Sequence, residues 1–319
     1  MLVTGIGGNV GQGVLRVLRS LSYPLRLIGT NTISLSGGNH LCDAVHQVPW
    51  AWDDDYVPAL RTVCEDEHVA LVIPTTDHET VPLAAAPGLP SVAVSSAATC
   101  ETFLDKHTTA ERLAAAGIPF ARTVVASGYH GEFEHTVVKP RKGRGSRDVH
   151  VDPPNPEAFG RDFVVQERHG GVELTTAFYV NRQGGVHGFI VFERTLGHGA
   201  TMTCRVVHDH DAAVKAIIDA LCAAFDIRGS CNLQAIAGAD GALTPFEVNC
   251  RVSGTNSIRH NLGFRDVQNT VEEYLLGTPP TPPSINDGHA VRLLMDVIYG
   301  GAPADGQEPP TRATPHVLF

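Results

Sequence analysis

The sequence predicts an α/β unit built on a Rossmann-like parallel sheet, followed by an α+β unit of mixed strands and helices. Three observations point there. The first hundred residues alternate between short apolar strands and amphipathic helices, the rhythm of a doubly wound sheet. From residue 99 onward the strands come in hairpins without a regular βαβ repeat, which indicates α+β organisation. At 319 residues the chain is long enough to bury two cores.

Taken in order, Leu2–Thr4 is a short apolar strand that runs into the glycine turn Gly5-Ile6-Gly7-Gly8-Asn9-Val10-Gly11. Val10–Leu21 places Val10, Val14, Leu15, Val17, Leu18 and Leu21 at helical spacing. Leu25–Gly29 reads as a second strand, Val57–Cys64 as a helix, Leu71–Pro74 as a third strand and Ser91–Val94 as a fourth. The third strand ends in the polar run Thr75–Glu79, so Asp77 and Glu79 fall just past a strand's carboxyl end, where open α/β sheets bind ligands. In the second unit Leu104–Ala116 is a helix closed by Gly117, with Pro119 beyond it. Thr136–Lys139 and Phe163–Gln166 are short strands on either side of a basic glycine-rich loop, Pro140–Arg147. Leu174–Val180 and Val186–Phe192 form a hairpin about Gly184-Gly185. His208–Phe225 is a helix, and Cys231–Ala237 pairs with Leu243–Val248 around Asp240-Gly241. Thr278–Ser284 is rich in proline and is expected to leave the compact core. The expected boundaries are 1–98 for the leader unit, 99–277 for the second unit and 278–319 for a proline-rich linker and C-terminal extension.

Composition excludes several classes. There are 24 basic and 34 acidic side chains, a net charge of −10, which argues against a nucleic-acid partner. Hydrophobic content of 43% with 18% charge describes a globular protein. No apolar run is long enough to cross a membrane. The N-terminus lacks the basic and apolar regions of a secretory leader, and seven cysteines are scattered with no CxxC spacing. Reduced thiols in a cytoplasmic protein are therefore expected. Only Lys106, Lys139, Lys142 and Lys215 are lysines, against 20 arginines. Such a bias singles out each lysine as a place where a compact ammonium serves and a planar guanidinium does not.

The glycine turn follows a strand and opens a helix, the context of a phosphate cradle. A nicotinamide site also wants an acid at the end of the second strand, and Asn31 stands there. The turn thus reads first as a tight strand-to-helix connection in a Rossmann-like unit, then as part of a small-ligand or acceptor site, and last as a dinucleotide cradle. An NAD(P)-binding protein, or an idle nucleotide-binding one, is the alternative function. More informative is Asn232-Leu233-Gln234 with Phe246-Glu247-Val248-Asn249-Cys250-Arg251. Residues two apart on a strand share a face, so Glu247, Asn249 and Arg251 point one way and Phe246, Val248, Cys250 and Val252 the other. Gln234 on the partner strand adds a third oxygen, a set that suits Mg²⁺. Arg251 can neutralise charge on a transferred phosphoryl group. Lys139 ends a half-buried strand, which is costly unless it faces an anion. Gly143, Gly145 and Ser146 offer unhindered backbone N–H groups to phosphates and form a candidate closing lid. Glu167 and Glu173 can hold an adenine amine and ribose hydroxyls, or are solvated loop charges.

This order of motifs resembles an ATP-grasp ligase of the carbamoyl-phosphate synthetase large-chain type, with a single ATP-grasp unit. The pieces that match are the glycine-turn leader, the Asp105-Lys106 helix start, the Lys139 strand and its loop, the Gln166–Glu173 hinge and the Asn-x-Gln … Glu-Val-Asn-x-Arg hairpin. The resemblance implies ATP with Mg²⁺, or Mn²⁺ in its place. Metal ligands would be Gln234, Glu247 and Asn249, with Arg251 on the transferring phosphate and Lys106 and Lys139 on the nucleotide phosphates. Glu167 and Glu173 would make the hinge and ribose contacts, the lid would span about 105–165 and the metal and catalytic half about 166–277. It implies an ADP-forming carboxylate–amine ligase acting on small molecules, with an amino acid among them, and allows a homodimer. Asp77 and Glu79 would hold the substrate ammonium, or cap the helix that follows. Arg259 would bind a carboxylate, or serve a helix end. Departures are Cys250 where the family has proline and Gln234 where many relatives have glutamate.

Overall fold

In the computed structural model, the described residues are 1–143, 145, 147–197, 199–300 and 308–319. The leader begins with β1 (Leu2–Val3), whose two side chains are wholly buried, and the glycine turn passes it into α1 (Asn9–Ser20). Gly11 is obligatory in that turn, because a Cβ there would stand 2.6 Å from the Gly5 carbonyl. Next come β2 (Ile28–Asn31), β3 (Ala44–Gln47), α2 (Tyr56–Asp66), β4 (Leu71–Ile73), α3 (Asp77–Ala85) and β5 (Ser91–Val92). The strands form one parallel sheet in the order β3-β2-β1-β4-β5. Alternation of side chains splits the core. Val3, Ile6, Val14 and Leu18 pack on the α1 side, while Leu2, Ile28, Val72 and Leu60 pack on the α2 side. The second strand starts three residues later than its sequence suggests, and β3 was not anticipated, since Ala44–Gln47 alternates too briefly to stand out.

Helices α4 (Ala97–Leu104) and α5 (Lys106–Ala115) lead into the second unit, where one helix from Leu104 was expected. Asp105 separates them: its backbone is extended and its carboxylate caps α5 by accepting from His107 and Thr108 N–H at 3.0 and 3.3 Å. β6 (Thr123–Val125), β7 (Thr136–Pro140), β8 (His150–Val151) and β9 (Phe163–Glu167) make a four-stranded antiparallel sheet in the order β6-β9-β7-β8. β10 (Val172–Val180), β11 (Val186–Gly197) and β12 (Ala200–Val206) precede α6 (Asp211–Ala224), after which β13 (Gly229–Ala237) and β14 (Leu243–Asn249) form the second hairpin. α6 lies against one face of this larger sheet, burying Val214, Ile217, Ile218 and Leu221 against Leu174, Phe178, Leu233 and Val248.

Short helices α7 (Asn256–Asn261) and α8 (Asp266–Val271) return to the leader. The Asn256 amide donates to the Val10 carbonyl at 3.0 Å, and only a glycine at position 13 leaves it room, since a Cβ there would fall 2.1 Å from its oxygen. The proline-rich stretch corrects an expectation. Instead of leaving the core it runs back along it: Thr281 N–H and hydroxyl bond to Glu272, Ser284 N–H donates to Gly263 O at 3.2 Å, and β15 (His289–Val291) pairs with β12. The larger sheet is thus six-stranded, β14-β13-β10-β11-β12-β15. β16 (Val297–Tyr299) pairs antiparallel with β17 (His316–Leu318), and the segment that leads into β17 docks on the leader, where Arg312 N–H donates to Cys42 O at 2.8 Å.

Candidate active site

The hairpin of β13 and β14 sets the polar face. Asn232 pairs with Asn249 and Gln234 with Glu247, so all four side chains leave the same side of the sheet. A bulge after Gln234 skips Phe246, which does not join the core as the alternating pattern suggested. Its ring instead lies 5.3 Å from the Lys139 ammonium, and its carbonyl accepts from Lys139 Nζ at 3.4 Å and Gln166 Nε2 at 3.3 Å. In the amide orientation that matches donors to acceptors, Asn249 donates to Glu247 at 3.3 Å and to Asp77 at 3.0 Å, and accepts from Gln234 at 3.2 Å. Gln234, Glu247, Asn249 and Asp77 therefore form one connected group across two units of the chain.

Charge at this group is balanced by four cations. Burial works against ionisation of Glu247, but Lys106, Lys139, Arg251 and Arg194 outweigh it and hold the carboxyl below the ordinary range. Lys139 is buried on β7, and among the described residues its ammonium has one long hydrogen bond, to a carbonyl. Burial, aided by Lys106, pulls its pKa down to about 8 against the opposing pull of Glu247 and Glu173. A buried ammonium with donors left over is a socket for an anion. Lys106 is buried at the first turn of α5, fixed there by the Asp105 cap, which Arg141 clamps at 2.7 Å.

The remaining predicted residues divide. Arg251 stays with the hairpin and grips Asp77 at 2.7 and 3.1 Å. Asp77 is therefore already in an ion pair. Glu79 is buried in the first turn of α3, accepting from Thr4 Oγ1 at 2.7 Å, Thr76 Oγ1 at 2.8 Å, Thr76 N–H at 3.1 Å and Tyr56 Oη at 3.2 Å. That is a helix cap rather than a substrate carboxylate, although its edge reaches the cleft. Arg259 is a correction. It has no exposed surface, pairs with Asp266 at 2.6 and 2.9 Å, and donates to the Ser253 and Thr255 hydroxyls at 2.9 Å each, so no substrate reaches it. Glu167 ends β9 in a bidentate pair with Arg122 at 2.7 and 2.8 Å. Glu173 is not beside it. Arg194 holds Glu173 at 2.6 Å and also donates to the Gln234 oxygen, so Glu173 belongs to the hairpin's polar face. Gly143 and Gly145 lie in the loop after β7, with Gly145 at φ +60°, and Ser146 lies outside the described residues.

Arg194 is the residue that sequence reasoning missed. Its strand was expected to end at Phe192, and only the period-two step from Phe192 would have placed Arg194 on the same face.

A cleft of about 700 Å³ opens in front of this group. One wall is the leader's sheet edge: the glycine turn, Asn31, Trp50, Trp52 and Asp77. The other is Arg194, Gln234, Glu247, Asn249 and Arg251, with Gly145 and Arg147 of the loop at the rim. Hard oxygens and a paired arginine thus line one end of a cleft large enough for a small molecule, which is equipment for handling a phosphoryl group.

No family model matches the sequence, and no curated relative does. Solved structures do match. N5-carboxyaminoimidazole synthetase from Staphylococcus aureus, complexed with ADP, is 12% identical with a TM-score of 0.71 over 94% of this chain and 82% of that one. An L-amino acid ligase from Bacillus licheniformis is 17% identical with a TM-score of 0.69, covering 88% and 74%. The biotin carboxylase–β,γ-ATP complex from Campylobacter jejuni is 13% identical with a TM-score of 0.67, covering 90% and 74%. At these identities the likeness is one of fold, and the chain has the ATP-grasp fold expected from its motifs.

Proposed function

We propose that this protein is an ATP-dependent ligase that activates a carboxylate as an acyl phosphate and joins it to an amine. The observation that carries this reading is the convergence of buried Lys106 and Lys139 on Glu247, with Gln234, Asn249 and Arg251 on the same face. The residues fit a nucleotide: among the described residues Lys139 has one hydrogen-bond acceptor, at 3.4 Å, and a phosphate would satisfy its ammonium better. They also fit Mg²⁺, since one carboxylate and two amide oxygens suit a hard cation that completes its shell with phosphate oxygens and water. When bound, the metal would neutralise charge on the phosphates.

In the proposed reaction a carboxylate oxygen of one substrate attacks the γ-phosphorus of ATP and ADP leaves. The amine nitrogen of the second substrate then attacks the acyl carbon, phosphate leaves, and the amine proton passes to solvent or phosphate. Lys106 and Lys139 hold the nucleotide phosphates. Arg251, kept in place by Asp77, faces the charge that develops on the transferred group. Arg194 orients Gln234 and Glu173. Glu167 stands at the adenine hinge, and the loop with Gly143, Gly145 and Ser146 closes over the phosphates to exclude water. Carboxylates and amines, amino acids first, incubated in pairs with Mg·ATP should release ADP, and mass spectrometry should find the condensed product. If no pair stimulates ADP release and calorimetry detects no ATP binding, the reading fails.

A further inference from the structure

We propose that two copies of this chain meet across the outer face of the β16–β17 ribbon and the segment that joins it to β15. The inference does not depend on the ligase reading. A ribbon of two strands is marginal in water unless another layer covers it. One face has that layer. Tyr299 and His316 lie opposite each other, half-buried, and the His316 ring meets His40 of the leader edge-on at 5.6 Å. Alternation turns the next opposed pair, Ile298 and Val317, the other way, and there they are 54% and 59% exposed. The apolar surface continues upstream. Asp296 and Phe319 exchange backbone hydrogen bonds at 2.7 and 3.0 Å, which carries the ladder one pair past β16. Just before that pair come Met295, Leu294 and Leu293, and then Val291 on β15, all between 62% and 90% exposed.

This surface is held in place. Arg292 donates to the carbonyls of Thr201 at 2.8 Å and Gly254 at 2.7 Å, which ties the segment to the core. β15 is also the edge strand of the six-stranded sheet, and such an edge offers backbone groups to a further strand. The six side chains together expose on the order of 700 Å². That exceeds the ~300–600 Å² of the largest patch on an ordinary monomer and approaches the ~800 Å² that each partner brings to a stable interface. A second copy is the occupant that fits. With a net charge of −10 the copies repel each other wherever acid faces acid. Across 291–299, however, Asp296 is the one acid, and Arg292, turned to its two carbonyls, the one lysine or arginine. A charge-poor apolar face is the character of homodimer interfaces, and a two-fold axis lays such a face on itself. A lipid surface would want basic residues around the apolar ones.

Sedimentation velocity of the full chain at micromolar concentration should give the mass of a dimer that dissociates on dilution. Leu294→Lys and Ile298→Lys each place a charge in the middle of the contact, at positions open to water in the single chain. Each should raise the dissociation constant about 100-fold or more and leave the far-UV circular dichroism unchanged. Val151→Lys, at a comparably exposed apolar position on β8, should leave the dimer intact. Hydrogen exchange over 291–299 should be slower in the wild-type dimer than in the monomeric Leu294→Lys protein. A wild type that stays monomeric, a dimer that survives both lysine variants, or one that Val151→Lys breaks as readily would overturn the proposal. So would a monomeric wild type that co-sediments with phosphatidylcholine vesicles, which would give this face to a lipid surface instead.

Discussion

Arg251 and Arg259 stand eight residues apart and both are paired with an aspartate, yet they belong to different kinds of environment. Arg251 follows β14 and keeps that strand's polar face, so it and Asp77 retain 16% and 12% of their side-chain surface, open to the cleft. Arg259 lies on α7, which turns inward against α1. With Asp266 it is sealed at 0% and 1% exposure. An ion pair at a cleft can exchange partners with a ligand. A sealed one cannot, and its work is to keep α7 and α8 in register. What separates a reacting charge from a structural one is the route to solvent, not the charge or its partner.

The largest expected effect lies on the cleft side of this contrast. Glu247→Gln keeps the shape but removes the charge that Lys106, Lys139, Arg194 and Arg251 face. Turnover should fall by about 100-fold or more while the thermal transition stays within a few degrees. Wild-type ADP release at matched magnesium would remove Glu247 from the site.

The sealed side should respond in the opposite way. Arg259→Ala leaves Asp266 as an uncompensated buried charge and should cost about 3–5 kcal/mol of stability in denaturant unfolding. Kinetic constants of whatever fraction remains folded should be unchanged. A selective rise in one substrate's KM with normal stability would restore Arg259 to the binding machinery and break the comparison.

The same distinction explains what could be read from the sequence. The hairpin face was legible because strand periodicity is a local rule: Glu247, Asn249 and Arg251 share a face however the rest of the chain folds. The glycine turn and the alternation that gives the parallel sheet were legible for the same reason. Burial of Arg259 was not, because it depends on α7 docking against α1 through Gly13 and Asn256, a contact between residues far apart in sequence. Glu173 was placed at the hinge with Glu167 because the two are close along the chain. Pairing of Leu174 with Glu193 and Ala235 instead sets it beside Arg194 and Gln234. The proline-rich stretch was read from its composition, whereas its course is fixed by Glu272 and Gly263, which hold it against the core.

Lys139 gives a test of intermediate size. Its folded pKa is pulled to about 8, below the ordinary lysine value, so it is an ammonium under neutral conditions and loses its proton as pH rises through 8. Phosphate binds the charged form, so affinity for ATP should weaken above pH 8 by up to about tenfold per pH unit. Nucleotide binding should in turn take up a proton in that range. Lys139→Ala should bind ATP weakly at every pH and abolish the slope. Calorimetry in buffers of different ionisation enthalpy reads both quantities, and a flat profile in the wild type would deny Lys139 a phosphate contact.

The smallest effect is expected at Glu79, which lies where the two environments meet. Its carboxylate touches the cleft wall, as Arg251 does, but four donors from Thr4, Tyr56 and Thr76 enclose it, as Arg259 is enclosed. Burial raises its pKa against the pull of those hydrogen bonds. If enclosure decides, Glu79→Gln should cost about 1 kcal/mol, the worth of a helix cap, and leave KM for every substrate unchanged. Asp77→Asn is the matched control, because Asp77 is the open member of the same helical turn: it should loosen Arg251 and alter kinetics more than stability. Should Glu79→Gln raise the acceptor's KM as much as Asp77→Asn does, contact with the cleft rather than enclosure would be what makes a charge functional here.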